Sequence, residues 1–83
     1  ATHAPETAIL TRDLPENDRR QDYLRSILGR NEAGDLTVEP FVKQDSSMLA
    51  VFSSADCLAV RAPFAEPARV GDRIEIIRLD PRV

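Results

Sequence analysis

The sequence predicts a small, mainly β domain, built as a bent β-ribbon or half-closed barrel with one short helix near residues 46–53. Short runs of apolar and β-branched residues that alternate with polar ones indicate strands. Pro, Gly, Asn and Asp separate these runs at irregular spacing. The 83 residues are enough for a single domain (1–83) with a small core, and 42% apolar with 30% charged residues indicates a globular chain.

The first third of the chain contains one clear strand and one ambiguous segment. Residues 7–13 (TAILTRD) predict a strand, which the turn sequence DLPEN (13–17) ends. In residues 20–29 (RQDYLRSILG) the apolar side chains fall at helical spacing, which favours an amphipathic helix. The same residues are also compatible with a strand, so both interpretations stay open on the residues alone.

The middle of the chain predicts a turn followed by a strand. Asn31 and Gly34 tolerate positive φ, and the strand covers residues 35–42. Pro40 cannot donate to a ladder, so this strand is expected at an edge of the sheet or with a bulge. Its alternation places three apolar side chains on one face: Leu36, Val38 and Val42.

The last part of the chain predicts the short helix and two further strands. Asp45 or Ser46 would cap the helix over 46–53, because either side chain can accept from its first free amides. Strands follow over 57–62 and, after a Gly-Asp turn, within 67–80. Cys57 is interpreted as a small buried residue. The predicted core is Tyr23, Leu24, Leu36, Val38, Leu49, Phe52, Leu58, Val60, Ile74 and Ile76.

Charge and cysteine content exclude several classes of function. A net charge of −3 with scattered Lys and Arg, and only four aromatic residues (three Phe and one Tyr), argue against nucleic-acid binding. Cys57 is the only cysteine and has no companions at metal-ligand spacing, so we expect neither a disulfide within the chain nor a metal site, and a reducing, cytoplasmic location. The apolar runs are too short for a bilayer, so no membrane partner is expected.

Five segments occur in an order that carries a resemblance. They are RRQDYLR (19–25), RNEAGDLTVEP (30–40), QDSSML (44–49), SSADCLAV (53–60) and VGDRIEI (70–76). This ordered set resembles the C-terminal domain (domain IV) of the MoeA/gephyrin family of molybdenum insertases over about residues 7–80. The resemblance implies a β-clip-like fold, in which residues 20–29 are a strand paired with residues 35–42.

The resemblance also implies an activity for a longer chain of four domains. Such a protein is a homodimeric molybdopterin molybdenumtransferase, which inserts molybdenum from molybdate into adenylylated molybdopterin with Mg²⁺. The catalytic groups lie mainly on another domain, so we expect no catalytic residue here and an inactive isolated domain that holds no cofactor alone. Its partners would be the other domains, the second subunit, the adenylylated pterin and molybdate.

Two residues are carried over as an oxyanion site, and three as accessory contacts. Arg20 matches the first arginine of the family's Arg-x-x-Phe/Tyr-x-Arg segment, and Ser46 matches the serine of its Gln-Gly-Ser motif. A guanidinium fork and a hydroxyl at a helix N-terminus both suit a tetrahedral oxyanion. The accessory residues are Arg25, Gln44 and Ser47.

Each of these residues also has a plainer interpretation. Ser46 is then a helix cap and Arg20 a solvated arginine. Asp45 stands where the family has glycine, and its carboxylate would repel an anion unless it points away. Two other functions therefore stay open. One is a docking module for a peptide or protein, suggested by Pro40 on an edge strand and by the docking role that the resemblance to gephyrin implies; the other is a structural lid or dimer brace without a ligand.

Overall fold

A computed structural model describes residues 5–42 and 55–79 of the chain. These residues form five strands in a closed barrel of order β1-β3-β2-β4-β5. The predicted mainly β barrel is confirmed, but it is closed and not half-closed. The predicted helix near 46–53 lies outside the described residues, among which no helix could cross a membrane. The strands are β1 (Glu6–Leu10), β2 (Asp22–Arg30), β3 (Leu36–Pro40), β4 (Cys57–Arg61) and β5 (Arg73–Arg78).

The barrel closes because β1 has a partner on each side. It runs parallel to β3, with Ile9 opposite Thr37 and Leu10 opposite Val38. It also runs antiparallel to β5 over four residue pairs. β1 and β3 are neighbours in the barrel, but β2 lies between them in the sequence. No short turn joins them, so their parallel pairing leaves no local turn signal in the sequence. For that reason the sequence predicted a more open ribbon.

The longest strand, β2, is shared between two neighbours. Its residues 26–30 pair with β3, and its residues 22–26 pair with β4. Ser26 stands opposite both Pro40 and Cys57 and is fully buried. The strand implied by the resemblance is confirmed and the amphipathic helix is wrong, because pairing on both sides outweighs the helical spacing.

The alternation of β2 corrects one residue of the predicted core. Tyr23 is 49% exposed, because it shares the outward face of the strand with Arg25 and Ile27. Leu24 and Leu28 lie on the opposite face and pack against the core. The prediction for Leu24 is therefore correct, and the prediction for Tyr23 is wrong.

β3 is an internal strand, so its predicted position at an edge is wrong. Backbone groups along a strand point alternately to the two neighbours. The carbonyl of Val38 accepts from the Thr11 amide of the β1 side at 3.1 Å, so Pro40 also faces that side. β1 has ended at Leu10, and the Pro40 carbonyl accepts from Arg12 Nε at 2.8 Å. The missing N–H of Pro40 therefore costs no ladder bond.

Small side chains fill much of the narrow barrel interior. On β4, Cys57 and Ala59 are fully buried and point inward, so Leu58 and Val60 lie on the outward face. The prediction of a buried Cys57 is confirmed, whereas Leu58 and Val60 do not belong to the core. The core cluster is Ala8, Leu10, Leu14, Val38, Cys57, Ala59, Ala68, Ile74 and Ile76.

The remaining predictions, for core residues and for the apolar face of β3, have mixed outcomes. Val38, Ile74 and Ile76 are buried, and Leu36 packs against them. Val42 is 80% exposed, because β3 has already ended at Pro40. The other two predicted core residues, Leu49 and Phe52, lie outside the described residues.

Candidate functional site

Two loops at one end of the barrel join into an irregular ribbon, here called the loop ribbon and formed by residues 14–18 and 64–68. Leu14 and Ala68 exchange both backbone hydrogen bonds, at 2.8 and 3.0 Å. Further out, the Asn17 amide donates to the Ala65 carbonyl at 3.0 Å. The β1–β2 loop is thereby fixed to the β4–β5 loop by backbone bonds, as two strands of a sheet would be.

The side chain of Asn17 clamps this ribbon to β4 and to Arg20. Its Nδ2 lies 2.6 Å from the Arg20 carbonyl, 2.9 Å from the Ala62 carbonyl and 3.2 Å from the Arg61 carbonyl. One amide group thus serves three acceptors on two segments. An asparagine at this point stabilises the loop in a way that a purely apolar residue could not.

Arg20 is held by its backbone while its side chain is exposed. Its N–H donates to the Asp18 carboxylate at 2.9 Å, and its carbonyl accepts from Asn17. The residue is exposed, and within the described ranges its guanidinium makes no hydrogen bond or ion pair. The structure therefore presents a guanidinium on a fixed backbone to whatever lies outside the loop ribbon.

Other arginines at this end of the barrel are engaged by backbone carbonyls. Arg61 is only 7% exposed, and its Nη2 donates to the Pro15 carbonyl at 2.7 Å and to the Glu66 carbonyl at 2.9 Å. Arg12 donates to the carbonyls of residues 40 and 41. Both arginines line a pocket of about 190 Å³, which also contains the carboxylates of Glu16 and Asp22. This mixture of charges makes the pocket a poor site for an anion.

Arg25 lies on the outward face of β2, separate from Arg20. Four residues lie between them, and five steps of about 3.3 Å in an extended chain give a Cα–Cα distance of up to about 17 Å. The Arg25 carbonyl accepts from the Phe41 amide at 3.0 Å, and the next carbonyl, of Ser26, accepts from the Asp56 amide at 2.9 Å. Two described residues, Phe41 before the stretch that contains Gln44, Ser46 and Ser47 and Asp56 after it, are therefore bonded to adjacent residues of β2.

The sequence-predicted site residues are thus only partly placed. The structure bonds the backbone of Arg25 and Ser26 to Phe41 and Asp56, and it anchors Arg20 beside the loop ribbon at one end of the barrel. Gln44, Ser46 and Ser47 themselves lie outside the described residues.

Phe64 occupies an unusual conformation at the tip of the second loop. Its φ is +59°, the only positive φ of a non-glycine residue in the described part of the chain. The Ala65 amide donates to the Ala62 carbonyl at 3.1 Å, which closes a turn with Pro63 and Phe64 at its centre. Proline followed by a residue with positive φ is typical of a type II turn, where glycine is the usual choice. The Phe64 side chain is nevertheless 67% exposed.

Phe64 is tied to the same loop as Arg20. Its N–H donates to the Asp18 carbonyl at 2.7 Å, and the Asp18 carboxylate accepts from the Arg20 amide. A single residue therefore connects the exposed ring and the exposed guanidinium through its backbone and its side chain.

The other end of the barrel carries groups without an evident chemical role. Glu6 and Arg78 form an ion pair at 2.9 Å, and this hydrogen bond lowers the pKa of Glu6. Burial raises the pKa of the Cys57 thiol to about 11, so the thiol stays protonated. The Asp56 carboxylate accepts from the Leu28 amide at 2.9 Å and extends the ladder beyond β4. No three His, Cys, Asp or Glu side chains of the described ranges could hold a metal ion.

Sequence reasoning did not identify Asn17, Arg61 or Phe64. Asn17 was interpreted only as part of a turn, and a buried arginine leaves no local signal. Phe64 could have been noticed, because it follows Pro63 at a position where a type II turn favours glycine.

A comparison with known families gives one match. The family model described as MoeA C-terminal region (domain IV) matches residues 7–79. This span is 73 of the 83 residues, and it includes the five strands from Thr7 onward together with both loops of the ribbon. No curated protein matches the chain.

Proposed function

The chain belongs to the MoeA C-terminal region family (domain IV), which makes it part of a molybdenum cofactor biosynthesis protein, and from that premise we propose its role in molybdenum insertion. In this proposal the full-length protein is a homodimeric transferase that inserts molybdenum from molybdate into adenylylated molybdopterin in the cytoplasm. The domain closes the active-site cleft and supplies oxyanion contacts. Its partners are the other domains, the second subunit and the two substrates.

One observation supports the oxyanion role most directly. Arg20 has a backbone fixed on both sides, by Asp18 and by Asn17, and an exposed guanidinium without a partner in the described ranges. A guanidinium can donate two parallel hydrogen bonds to a tetrahedral oxyanion. Because its backbone is already ordered, less conformational entropy is lost when an anion binds.

The contacts carried over from the resemblance complete the proposed site. Ser46 would add a hydroxyl donor, with Arg25, Gln44 and Ser47 as accessory contacts. The anchoring of the chain at Arg25 and Ser26 supports a second contact region there, distinct from the loop ribbon. Asp45 would have to direct its carboxylate away from the anion, since the two like charges repel each other.

The reaction itself needs groups that the described residues do not provide. They contain no cluster of metal ligands, so a Mg²⁺ ion of the full-length protein would be held by another part of it. The Cys57 thiol is buried and protonated, which makes it a poor nucleophile. We therefore assign the domain a binding role and expect it to be inactive alone.

The proposal is tested in the full-length protein by the conversion of adenylylated pterin to molybdenum cofactor. Arg20→Ala is expected to raise the molybdate KM by about tenfold or more, because a hydrogen bond to a charged group contributes about 1.5–3 kcal/mol. Ser46→Ala is expected to act in the same direction. Asp45→Gly is expected to lower the KM.

Arg19→Ala is the matched control, because it removes an exposed arginine from the neighbouring position. If Arg20→Ala and Arg19→Ala give the same molybdate KM as the unchanged protein, the oxyanion role is wrong. The domain would then be a lid, a dimer brace or a docking module. The docking alternative has lost one of its two motives, because Pro40 lies on an internal strand, and it keeps only the resemblance to gephyrin.

A further inference from the structure

Phe64 has an unfavourable backbone conformation, and its side chain is largely exposed and not buried against the described residues. A left-handed backbone conformation is unfavourable for L-residues because Cβ approaches the following carbonyl oxygen. A bulky residue in this conformation is a genuine outlier. Among the described residues, glycine occupies the other two positions with positive φ, Gly34 at +86° and Gly71 at +97°. At Phe64 the chain retains an aromatic ring that is 67% exposed, so burial does not compensate the cost.

The turn that carries Phe64 is well determined and not a loosely held loop. Its own hydrogen bond, from Ala65 to Ala62, measures 3.1 Å, and the Phe64 amide is bound to Asp18 at 2.7 Å. Asn17 adds a bond from its side chain to the Ala62 carbonyl at 2.9 Å. Strained residues that the surroundings fix in this way are concentrated at functional sites. The ring therefore has a use beyond the stability of this fold.

Its neighbours identify the kind of ligand. The backbone amides of Phe64 and Arg20 are both bound to Asp18, so the residue with the exposed ring and the residue with the exposed guanidinium are anchored at the same point of the loop ribbon. An aromatic face stacks on planar heterocycles, and an arginine binds phosphate. A ligand that uses both has a planar ring joined to a phosphate. Molybdate has no ring, whereas the adenylylated pterin has two ring systems, the pterin and adenine, which are linked through phosphate groups.

We propose that Phe64 is a stacking platform for a planar ring of the adenylylated pterin, beside the oxyanion contact of Arg20. This inference rests on the proposed function, because it assumes that the loop ribbon faces the substrate cleft. It predicts that the loss of the Phe64 ring raises the pterin KM alone, whereas Arg20→Ala raises the molybdate KM and, through the phosphate of the pterin, the pterin KM as well.

The test uses four variants of the full-length protein and two substrate titrations. Phe64→Leu keeps an apolar side chain but loses the ring, and is expected to raise the pterin KM by about tenfold. Phe64→Tyr keeps the ring and is expected to recover most of that loss. Phe64→Gly is expected to raise the pterin KM as strongly as Phe64→Leu, although its thermal midpoint is unchanged or higher, because glycine relieves the strain. Val70→Ala is the control, since Val70 is 61% exposed on a neighbouring turn.

Inhibition by AMP distinguishes the two rings. If Phe64→Leu weakens inhibition by AMP, the stacked ring is adenine; if inhibition is unchanged while the pterin KM rises, it is the pterin. A pterin KM that stays the same in both Phe64→Leu and Phe64→Gly overturns the inference. So does a loss of dimer assembly in these variants, because Phe64 would then contact protein.

The outcomes separate this inference from the proposed function. If Arg20→Ala raises the molybdate KM and Phe64→Leu leaves the pterin KM unchanged, only the stacking platform is refuted. If Arg20→Ala has no effect and Phe64→Leu still raises the pterin KM, the loop ribbon faces the cleft but the oxyanion contact is wrong.

Discussion

The substitution Asn17→Asp tests whether the loop ribbon depends on one amide group. In the 83-residue chain, Nδ2 of Asn17 serves three carbonyls at 2.6, 2.9 and 3.2 Å. A net hydrogen bond contributes about 0.5–1.5 kcal/mol, and the two amide hydrogens allow two strong bonds. Aspartate replaces the donor with an oxygen that faces three carbonyl oxygens. Because water can reach some of these acceptors, we expect the free energy of unfolding to fall by about 2 kcal/mol.

Urea unfolding followed by far-UV circular dichroism measures this change. With a slope of about 1–2 kcal/mol/M for a small domain, the midpoint should fall by about 1–2 M at unchanged slope. Asn31→Asp is the matched control, because Asn31 uses its Oδ1 to accept from the Asp35 amide at 2.9 Å. A carboxylate can still accept that bond, so the same substitution should cost little there. Equal effects of the two substitutions would refute the assigned role of the Asn17 amide.

Three further predictions concern charge and burial. Arg61→Met should lower the free energy of unfolding by about 2–3 kcal/mol in urea, because two backbone carbonyls lose a charged donor. Cys57 should resist a thiol reagent at about pH 8 in the folded chain and react once urea unfolds the chain. The reason is that the thiol is fully buried and its pKa is about 11. Rapid labelling of the folded chain would contradict this prediction. The hydrogen bond from Arg78 lowers the pKa of Glu6 below its ordinary value of 4.5. Their ion pair therefore stabilises the fold fully above pH 4.5, and this stabilisation is lost as the pH falls through the lowered pKa of the folded state. The Glu6→Gln chain should therefore be less stable by up to about 1 kcal/mol at pH 7, and this difference in the free energy of unfolding should shrink as the pH falls below 4.5.

Four of the five strands could be predicted from the sequence because their signals are local, whereas β2 was identified as a strand only through the resemblance. Turn residues mark their ends, and the alternation on β5 correctly places Ile74 and Ile76 inside. The inward face of β4 was predicted wrongly, because the largest apolar side chains were assumed to point inward. The interior of a small barrel is narrow, so Cys57 and Ala59 occupy it and the larger neighbours lie outside.

The barrel closure and the clamp could not be predicted, because both depend on contacts between distant segments. Nothing in the sequence around Ile9 indicates that it pairs with Thr37 on β3, because the whole of β2 lies between these two residues in the sequence. Likewise, Asn17 in a turn sequence does not reveal that its amide reaches the carbonyls after β4. For the candidate site, the sequence alone could name Arg20 through the resemblance, but not the residues that hold its backbone.

The arginines of this domain divide by what their guanidinium groups contact, and that division limits where an anion can bind. Arg61 and Arg12 donate to backbone carbonyls, and Arg78 is paired with Glu6, so an anion at any of them would compete with an existing partner. Two arginines reverse this arrangement, because their backbones are hydrogen-bonded and their side chains are exposed. They are Arg20, bound to Asn17 and Asp18, and Arg69, bound to Asp72 through both its amide and its carbonyl. Loops commonly carry binding residues on a rigid scaffold, and here the ribbon of residues 14–18 and 64–68 extends that rigidity to the loop itself. Under the proposed function, a cationic group whose backbone is held at a fixed place can therefore contribute to a reaction that other domains carry out.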